Sequence, residues 1–470
     1  MGKKVETFIG KKIGLTILLI MALAFTSALA DSAVVKKSDT AEKNKSGEKA
    51  KSIPKFELNR FIPPETCGDC HGEILEQWTN SMHNLSHKDP IYTRVAKFLR
   101  QGLTLAGEIE EAESCVKCHT PVGVVTGFPG KLSDDLSKTP EIATQGIQCD
   151  YCHSAVDTAK MYNNGLVLEP GHGEDDPGVK YGPFDDSEPD FHEAAFSELH
   201  KSPSICGTCH NVKHVVFGTD LETTYTEWEK SPYNDPDPEK RITCQGCHMY
   251  QRPGIPATGS TKRPENPGAA TDYSVDRPHI FTHYFVGANT RVPGQFNGED
   301  KQTMARERLE NAAEIFLDTT RLANKQLDVI VTNSGAGHSI PTGVGDLRQV
   351  WLEVIINDAD SHPVFQSGIL DGKKELPREA IIFRTILGDG QGNPVVNLAK
   401  AKQVLSDNRI PAKQSVTQTI ALDFVSGKDF TITARLLYRG MPQRILKLIP
   451  GEPLGPLPVV EMAKISRKIY

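Results

Sequence analysis

The sequence predicts a multi-domain α+β protein in which a region of short helices and irregular loops precedes an all-β, sandwich-like domain. Three observations carry that expectation. Residues 60–300 are rich in Pro, Gly, Asp and Asn and contain all ten cysteines, which leaves room for only brief helices. One amphipathic stretch, Thr303–Asp318, follows, with Leu309, Ala312, Ala313 and Phe316 at helical spacing. Beyond residue 323 the apolar period drops to two, the period of a half-buried strand.

In chain order, Lys3, Lys4, Lys11 and Lys12 precede an apolar run, Ile13–Ala24, and Ala28-Leu29-Ala30 supplies an A-x-A cleavage site before Asp31. Together these read as a secretory signal peptide over residues 1–30, and so as export to the periplasm or the cell surface. Residues 31–59 begin DSAVVKKSDTAEKNKSGEKAKS, a Lys-, Ser- and Glu-rich stretch without an aromatic residue. It is expected to be a flexible charged linker, because it has too little to bury. No later segment approaches the ~20 apolar residues of a membrane span, so no integral span is expected after cleavage. The net charge of −7 becomes more negative once the leader's lysines are removed, which speaks against nucleic acid as a partner.

The cysteines fall in five pairs: CGDCH at 67–71, CVKCH at 115–119, CDYCH at 149–153, CGTCH at 206–210 and CQGCH at 244–248. A zinc ribbon or a redox dithiol has no use for a histidine directly after each pair. With only 15 histidines in 470 residues, five such neighbours out of five are not chance. C-x-x-C-H is the attachment signature of c-type haem. Cys67, Cys70, Cys115, Cys118, Cys149, Cys152, Cys206, Cys209, Cys244 and Cys247 are then thioether links. His71, His119, His153, His210 and His248 are the proximal iron ligands. Five covalent haem c groups are expected between residues 67 and 248, with no cysteine left for a disulfide.

Ten histidines remain for distal positions. Gly72 to Ser81 can form a helix, and twelve residues of helix rise about 18 Å, so His83 is expected to reach a neighbouring haem rather than its own. His192 and His200 precede the fourth motif, eight residues apart, within about 80° of each other if that segment is helical. His279 and His283 stand four apart and share a face of a helix or of a strand. His338 sits on the Gly-rich loop GAGHSIPTG, where backbone can approach a haem closely. His87, His172, His214 and His362 are expected at the surface. Methionine is the rival axial ligand and raises the potential, but the surplus of histidines favours bis-histidine haems of low potential.

Thr303–Asp318 reads as a helix connecting the two regions, within a connector spanning 301–322. In the β domain, 323–470, strands are expected at 327–333, 350–358, 380–387, 416–424 and 430–439. In the last of these, Phe430, Ile432, Ala434, Leu436 and Tyr438 fall on one face.

These motifs and their flanks resemble the cytochrome c-554-type family of multihaem c-type cytochromes. The matching pieces are WTNSMH (78–83), GIQCDYCHS (146–154), KYGPFDDSEPDFHEAAFSELHKSPSICGTCHN (180–211), TYTEWEKSPY and ITCQGCHM (within 224–249), HYFVGAN (283–289) and GAGHSIPTG (335–343). They cover most of residues 60–345. The resemblance implies closely stacked bis-histidine haems and electron transfer in anaerobic respiration. It supports His83, His192, His200, His283 and His338 as functional positions, with His279 an equal alternative to one of them. Redox partners are then other cytochromes or membrane-bound oxidoreductases, and assembly of copies into a longer conductor is compatible with the sequence. A carrier is the preferred reading. The alternative is a multihaem reductase or oxidase of a small nitrogen or sulfur compound at one open-faced haem. Pentahaem nitrite reductases typically carry a lysine in one motif and a helical C-terminal part, whereas all five motifs here end in histidine and the C-terminal part reads as β.

Overall fold

Proline and glycine punctuate the N-terminal region so closely that its helices stay short. The computed structural model describes residues 56–344, 347–422, 429–451 and 455–470. The leader and most of the charged linker lie outside the described residues, as do Asp423 and Phe424 at the end of one expected strand. Pro64, Pro90 and Pro121 each open a helix, at Pro64–Gly68, Pro90–Leu99 and Pro121–Thr126, where a missing N–H costs nothing. Asp89 caps the second of these by accepting from Ile91 N at 2.7 Å, and Gly127, at φ 98°, ends the third. No helix among the described residues is long and apolar enough to cross a membrane.

Small strands join these helices. β1 (Ala155–Thr158) pairs β2 (Leu166–Leu168), β3 (Val179–Gly182) runs parallel to β4 (Glu193–Phe196), and β5 (Val212–Lys213) pairs β6 (Asp220–Glu222). Asp150 ties this region together. Its buried carboxylate accepts from Ile62 N at 2.9 Å and Ser154 Oγ at 2.9 Å, and pairs with Lys180 on β3.

The expected connecting helix is shorter than its periodicity suggested. The helix is Glu299–Glu310, and residues 314–318 form a strand instead, β7 (Glu314–Asp318). Leu309, Ala312 and Ala313 are buried, but Phe316 is 57% exposed while Leu317 is 1% exposed. That alternation belongs to a strand, and β7 pairs β8 (Gln326–Thr332) through Leu317 and Val329.

The remaining strands are β9 (Gln349–Asp358), β10 (Pro363–Ser367), β11 (Ile382–Phe383), β12 (Thr385–Gly388), β13 (Gln403–Asp407), β14 (Ser415–Ala421), β15 (Phe430–Arg439) and β16 (Val459–Ile469). One antiparallel sheet runs β10-β9-β15-β16, with β11 also paired to β9; a second runs β14-β8-β7; and β12 pairs β13. Leu327, Val329 and Val331 of β8, Val350, Leu352, Val354 and Ile356 of β9, and Ile432, Ala434 and Leu436 of β15 share one core and are all at most 1% exposed. The molecule is thus mixed helix and sheet, with short helices leading and strands following. All five expected strand runs contain strands, the run at 380–387 splitting into β11 and β12. β7, β10, β13 and β16 were not anticipated, and in β16 the buried Val460 and Met462 alternate with charged residues that mask the period.

The two regions are joined directly. Asn397 Nδ2 donates to Leu99 O at 3.0 Å, and His214 Nε2 donates to Ala399 O at 3.0 Å. His214, expected at the surface, is 1% exposed; its Nδ1 accepts from Val216 N and Phe217 N at 3.3 and 3.2 Å. Both ring nitrogens are used, so it is a structural joint. His87 is also buried, with Nδ1 2.8 Å from Thr120 Oγ1.

Leu352→Ala leaves a hole at the centre of the shared core and is expected to cost about 2–5 kcal/mol, read as a lower urea midpoint with an unchanged slope. Asp150→Ala strands the Lys180 ammonium, which has 12% of its side chain exposed, and is expected to cost about 3–5 kcal/mol. Asp150→Leu with Lys180→Met should recover much of that loss in the same denaturation measurement.

Candidate haem-binding sites

Each C-x-x-C-H motif folds as one α-turn. The histidine N–H reaches back to the carbonyl of the first cysteine, at 2.9 Å for His71, 3.3 Å for His119, 2.9 Å for His210 and 2.8 Å for His248, and Cys149–His153 is itself helical. Residues i, i+3 and i+4 of such a turn share one face. Two thiols and an imidazole therefore project together, which is what two thioether bonds and one axial ligand require. None of the ten cysteines is joined to another in a disulfide. Burial pushes the Cys115 and Cys152 thiols up to about 12, so the surroundings favour a neutral sulfur such as a thioether.

The motif histidines share a second feature. Nδ1 lies 2.9 Å from Ala270 O in His71, 3.1 Å from Ser86 O in His119, 2.7 Å from Tyr181 O in His153 and 3.1 Å from Val286 O in His248. A carbonyl can only accept, so Nδ1 carries the proton and Nε2 keeps its lone pair. That is the second-shell arrangement of a metal-binding histidine. His210 differs: its Nδ1 faces the Glu222 carboxylate at 3.4 Å. About half of the His210 side chain, 53%, is accessible. These residues fit covalently held haem.

The motifs lie against one another. The thiol of Cys67 lies near enough to that of Cys149 to bear on it, as does Cys118 on Cys209 and Cys206 on Cys244, and Gln245 of the fifth motif donates to Ser202 O, just before the fourth, at 2.8 Å. The charges of Cys209 and Cys206 also bear on Cys152. The fourth motif thus neighbours the second, third and fifth, and the first neighbours the third.

The structure brings several of the other candidate histidines to these motifs by routes the sequence did not show. The helix expected over 72–81 stops at Trp78, and Asn80, at φ 61°, turns the chain. His83 is then pinned beside the third motif: Ile147 N donates to His83 O at 3.0 Å, and Trp78 Nε1 donates to Ile147 O at 2.9 Å. Gly146 permits this approach, since a Cβ there would lie 2.2 Å from His83 O. The His83 ring faces that of His210 with centroids 6.4 Å apart and planes 23° apart. His283 faces His153 at 6.4 Å and 29°. Two imidazoles sharing a metal at nitrogen distances of about 2 Å put their centroids roughly 6 Å apart. Burial, helped by His210 and by His153 respectively, lowers both His83 and His283 to about 3, so both rings are neutral, the form that coordinates.

His279 and His283 share neither helix nor strand, since the stretch is irregular. His283 Nδ1 lies 2.9 Å from Phe281 O, whereas His279 stacks on Tyr250 at 3.6 Å and directs Nε2 to Met249 O at 3.3 Å. His192 and His200 are likewise on separate elements. His192 lies just before β4 with Nδ1 2.9 Å from Glu193 O, near enough to His71 for their charges to interact. His200 is in the turn Glu198–Lys201 and directs Nε2 to Cys152 O at 3.0 Å. His338 is on the expected loop, held by Asn333 Nδ2 on its carbonyl at 2.7 Å, with its own Nδ1 3.1 Å from Ser339 O; it bears electrostatically on His248.

Sequence reasoning did not find Tyr92, whose ring lies parallel to His119 at 3.8 Å, nor Glu222 and Arg308, the charges beside the fourth and fifth motifs. Nothing local marks them, because they come from elements remote in sequence or from an ordinary polar strand.

Residues 66–154 match the model of the family described as Cytochrome c554 and c-prime. A search of curated proteins finds no match. Among solved structures, a penta-heme cytochrome c552 from Thermochromatium tepidum is similar over 88% of this chain and 100% of its own, with a TM-score of 0.60 at 18% identity, a likeness of fold. With the attachment turns and the oriented imidazoles, these likenesses support the reading of the chain as a multihaem c-type cytochrome that holds haem c covalently, as electron transfer requires.

Proposed function

We propose that this protein is an exported carrier that moves single electrons through five closely spaced haems in anaerobic respiration, between other cytochromes or membrane-bound oxidoreductases. The observation that carries it is the adjacency of the motifs: thiols of different motifs lie near enough to bear on one another, Gln245 of the fifth motif donates to Ser202 O beside the fourth, and the fourth motif is at the junction. Haem c, when bound, cycles between ferric and ferrous iron. The protein's own part is to hold and orient. Ten cysteines anchor the groups, and five Nδ1 contacts aim the proximal imidazoles. We assign His83 as distal partner to the His210 site, His283 to the His153 site, His338 to the His248 site and His192 to the His71 site. His200 and His279 direct Nε2 to backbone carbonyls, which leaves Nδ1 of each, buried and without a hydrogen-bond partner, as the nitrogen through which they stay ligand candidates. The two antiparallel sheets, read as a sandwich, carry the His338 loop.

One observation favours a second reading at the second motif. The ring packed on His119 is Tyr92, and His87 follows Ser86, the residue whose carbonyl receives the His119 Nδ1–H. His87 is therefore on the Nδ1 side of that ring, away from where a distal ligand stands. An open iron at this site would allow a reductase or oxidase activity on a small molecule.

Electron paramagnetic resonance of the oxidised protein, with carbon monoxide added to the reduced form, tests both. Four low-spin haems and one that binds carbon monoxide are expected. No binding at all would close the second site and leave the carrier alone, and binding at several haems would sink the bis-histidine assignments. His83→Ala and His283→Ala are each expected to create one additional high-spin, carbon monoxide-binding haem, whereas His214→Ala should leave the spin count unchanged.

A further inference from the structure

The fourth and fifth motifs are neighbours in space, since Gln245 of the fifth donates to His200 O and Ser202 O, just before the fourth, at 3.1 and 2.8 Å, yet their charged surroundings are opposite. At the fourth, His210 is the motif histidine whose Nδ1 faces a carboxylate, Glu222 of β6. That carboxylate is held in place by Thr224 Oγ1 at 3.3 Å, and 16% of its side chain is exposed. Arg348 bears electrostatically on Glu222, but its Nη1 is committed to Gly440 O at 3.0 Å. At the fifth, the guanidinium of Arg308 lies against the motif itself. Its Nη1 donates to Cys247 O at 3.4 Å, Gln251 Oε1 at 2.8 Å and Ala257 O at 3.1 Å. Every one of these partners is uncharged, and no carboxylate pairs with Arg308 among the described residues. Arg263 and Lys413 add positive charge on the same side, at exposed positions where solvent screens them. Glu227, the acid nearest in effect to His338, is already neutralised by Arg409.

A carboxylate on Nδ1 makes an axial imidazole more electron-rich and favours the ferric state, and a cation buried beside a haem favours the ferrous state. Glu222 and Arg308 are both partly buried, where charges count for more than at an open surface. By contrast, the third motif has the Asp150–Lys180 pair beside it, which is neutral as a unit.

We propose that Glu222 and Arg308 make the fourth and fifth haem sites electrically unequal, so that an electron reaching the His210 site passes on to the His248 site. This rests on the reading that both motifs carry haem. The exchange is one electron: the fourth site loses it, the fifth gains it, and no bond or proton moves. The junction of the haem array thus has a direction, and the fifth site, beside the His338 loop, is where electrons collect.

The test is a potentiometric titration of the intact protein and of Glu222→Gln and Arg308→Gln, with Glu222→Asp and Arg308→Lys as charge-keeping controls. Glu222→Gln is expected to raise one midpoint, and Arg308→Gln to lower a different one. Each should change the electron share between the two sites about tenfold, which is 59 mV for one electron. The controls should stay near the wild-type values. The proposal fails if Glu222→Gln leaves every midpoint in place or lowers one, or if both variants move the same midpoint in the same direction. If Arg308→Gln does not take up its haems, the Glu222→Gln shift alone decides. Haem stoichiometry and attachment at Cys206 to His210 and Cys244 to His248, measured by peptide mass on the wild type, judge the five-haem reading separately.

Discussion

The contact between each motif histidine's Nδ1 and an acceptor held by a remote segment is the interaction on which the rest of the arrangement depends. Ala270, Ser86, Tyr181 and Val286 supply carbonyls, and Glu222 supplies a carboxylate. Each contact fixes which nitrogen carries the proton and hence where the lone pair points. It also binds a short helical turn to a distant stretch of chain. In a region without long helices, these cross-links are a large part of what gives the loops a single path.

The chemistry was legible in the sequence to the extent that it is local. C-x-x-C-H is contained in five residues, and one α-turn is enough to bring its three groups to one side, so ten thiols and five motif imidazoles could be singled out together. Strands with clean alternation, such as 430–439, were equally readable. Distal partners were less so, because their placement depends on loops. His83 was expected to reach another haem by continuing along a helix, and it instead lies near His210 after a turn at Asn80 that pins it to Ile147. His192 and His200 were paired by helical spacing and fall on different elements. The helix expected to run to Asp318 stops at Glu310 because the apolar spacing of 309–317 serves both a helix and a strand, and pairing with β8 decides between them.

The β region does more than bury its own core. It places His338 near the fifth motif, Ala399 against His214, and Arg409 against Glu227. Gly335 lets the His338 loop close on the helix end, since a Cβ there would lie 2.0 Å from Asn311 O. A rigid sheet core is a suitable base for this loop because strands with nearly inaccessible Val, Leu and Ile residues do not shift cheaply. The charges that distinguish the fourth and fifth motifs likewise come from a small strand and from the helix that leads into the sheets.

The nearness of thiols from different motifs bears on how such a chain can be made. Cys67 and Cys149, Cys118 and Cys209, and Cys206 and Cys244 are far apart in sequence and become neighbours only when the chain folds. A chain that folded with its sulfurs unmodified would present three ready partners to any oxidant, and a cystine formed there would block two attachment turns at a time. Maturation is therefore a contest between collapse and ligation, which an extended, reduced chain wins and a prematurely compact one loses. On the reading that each of those sulfurs becomes a thioether, the crowding that endangers the nascent chain would serve to bring the finished redox centres within reach of one another.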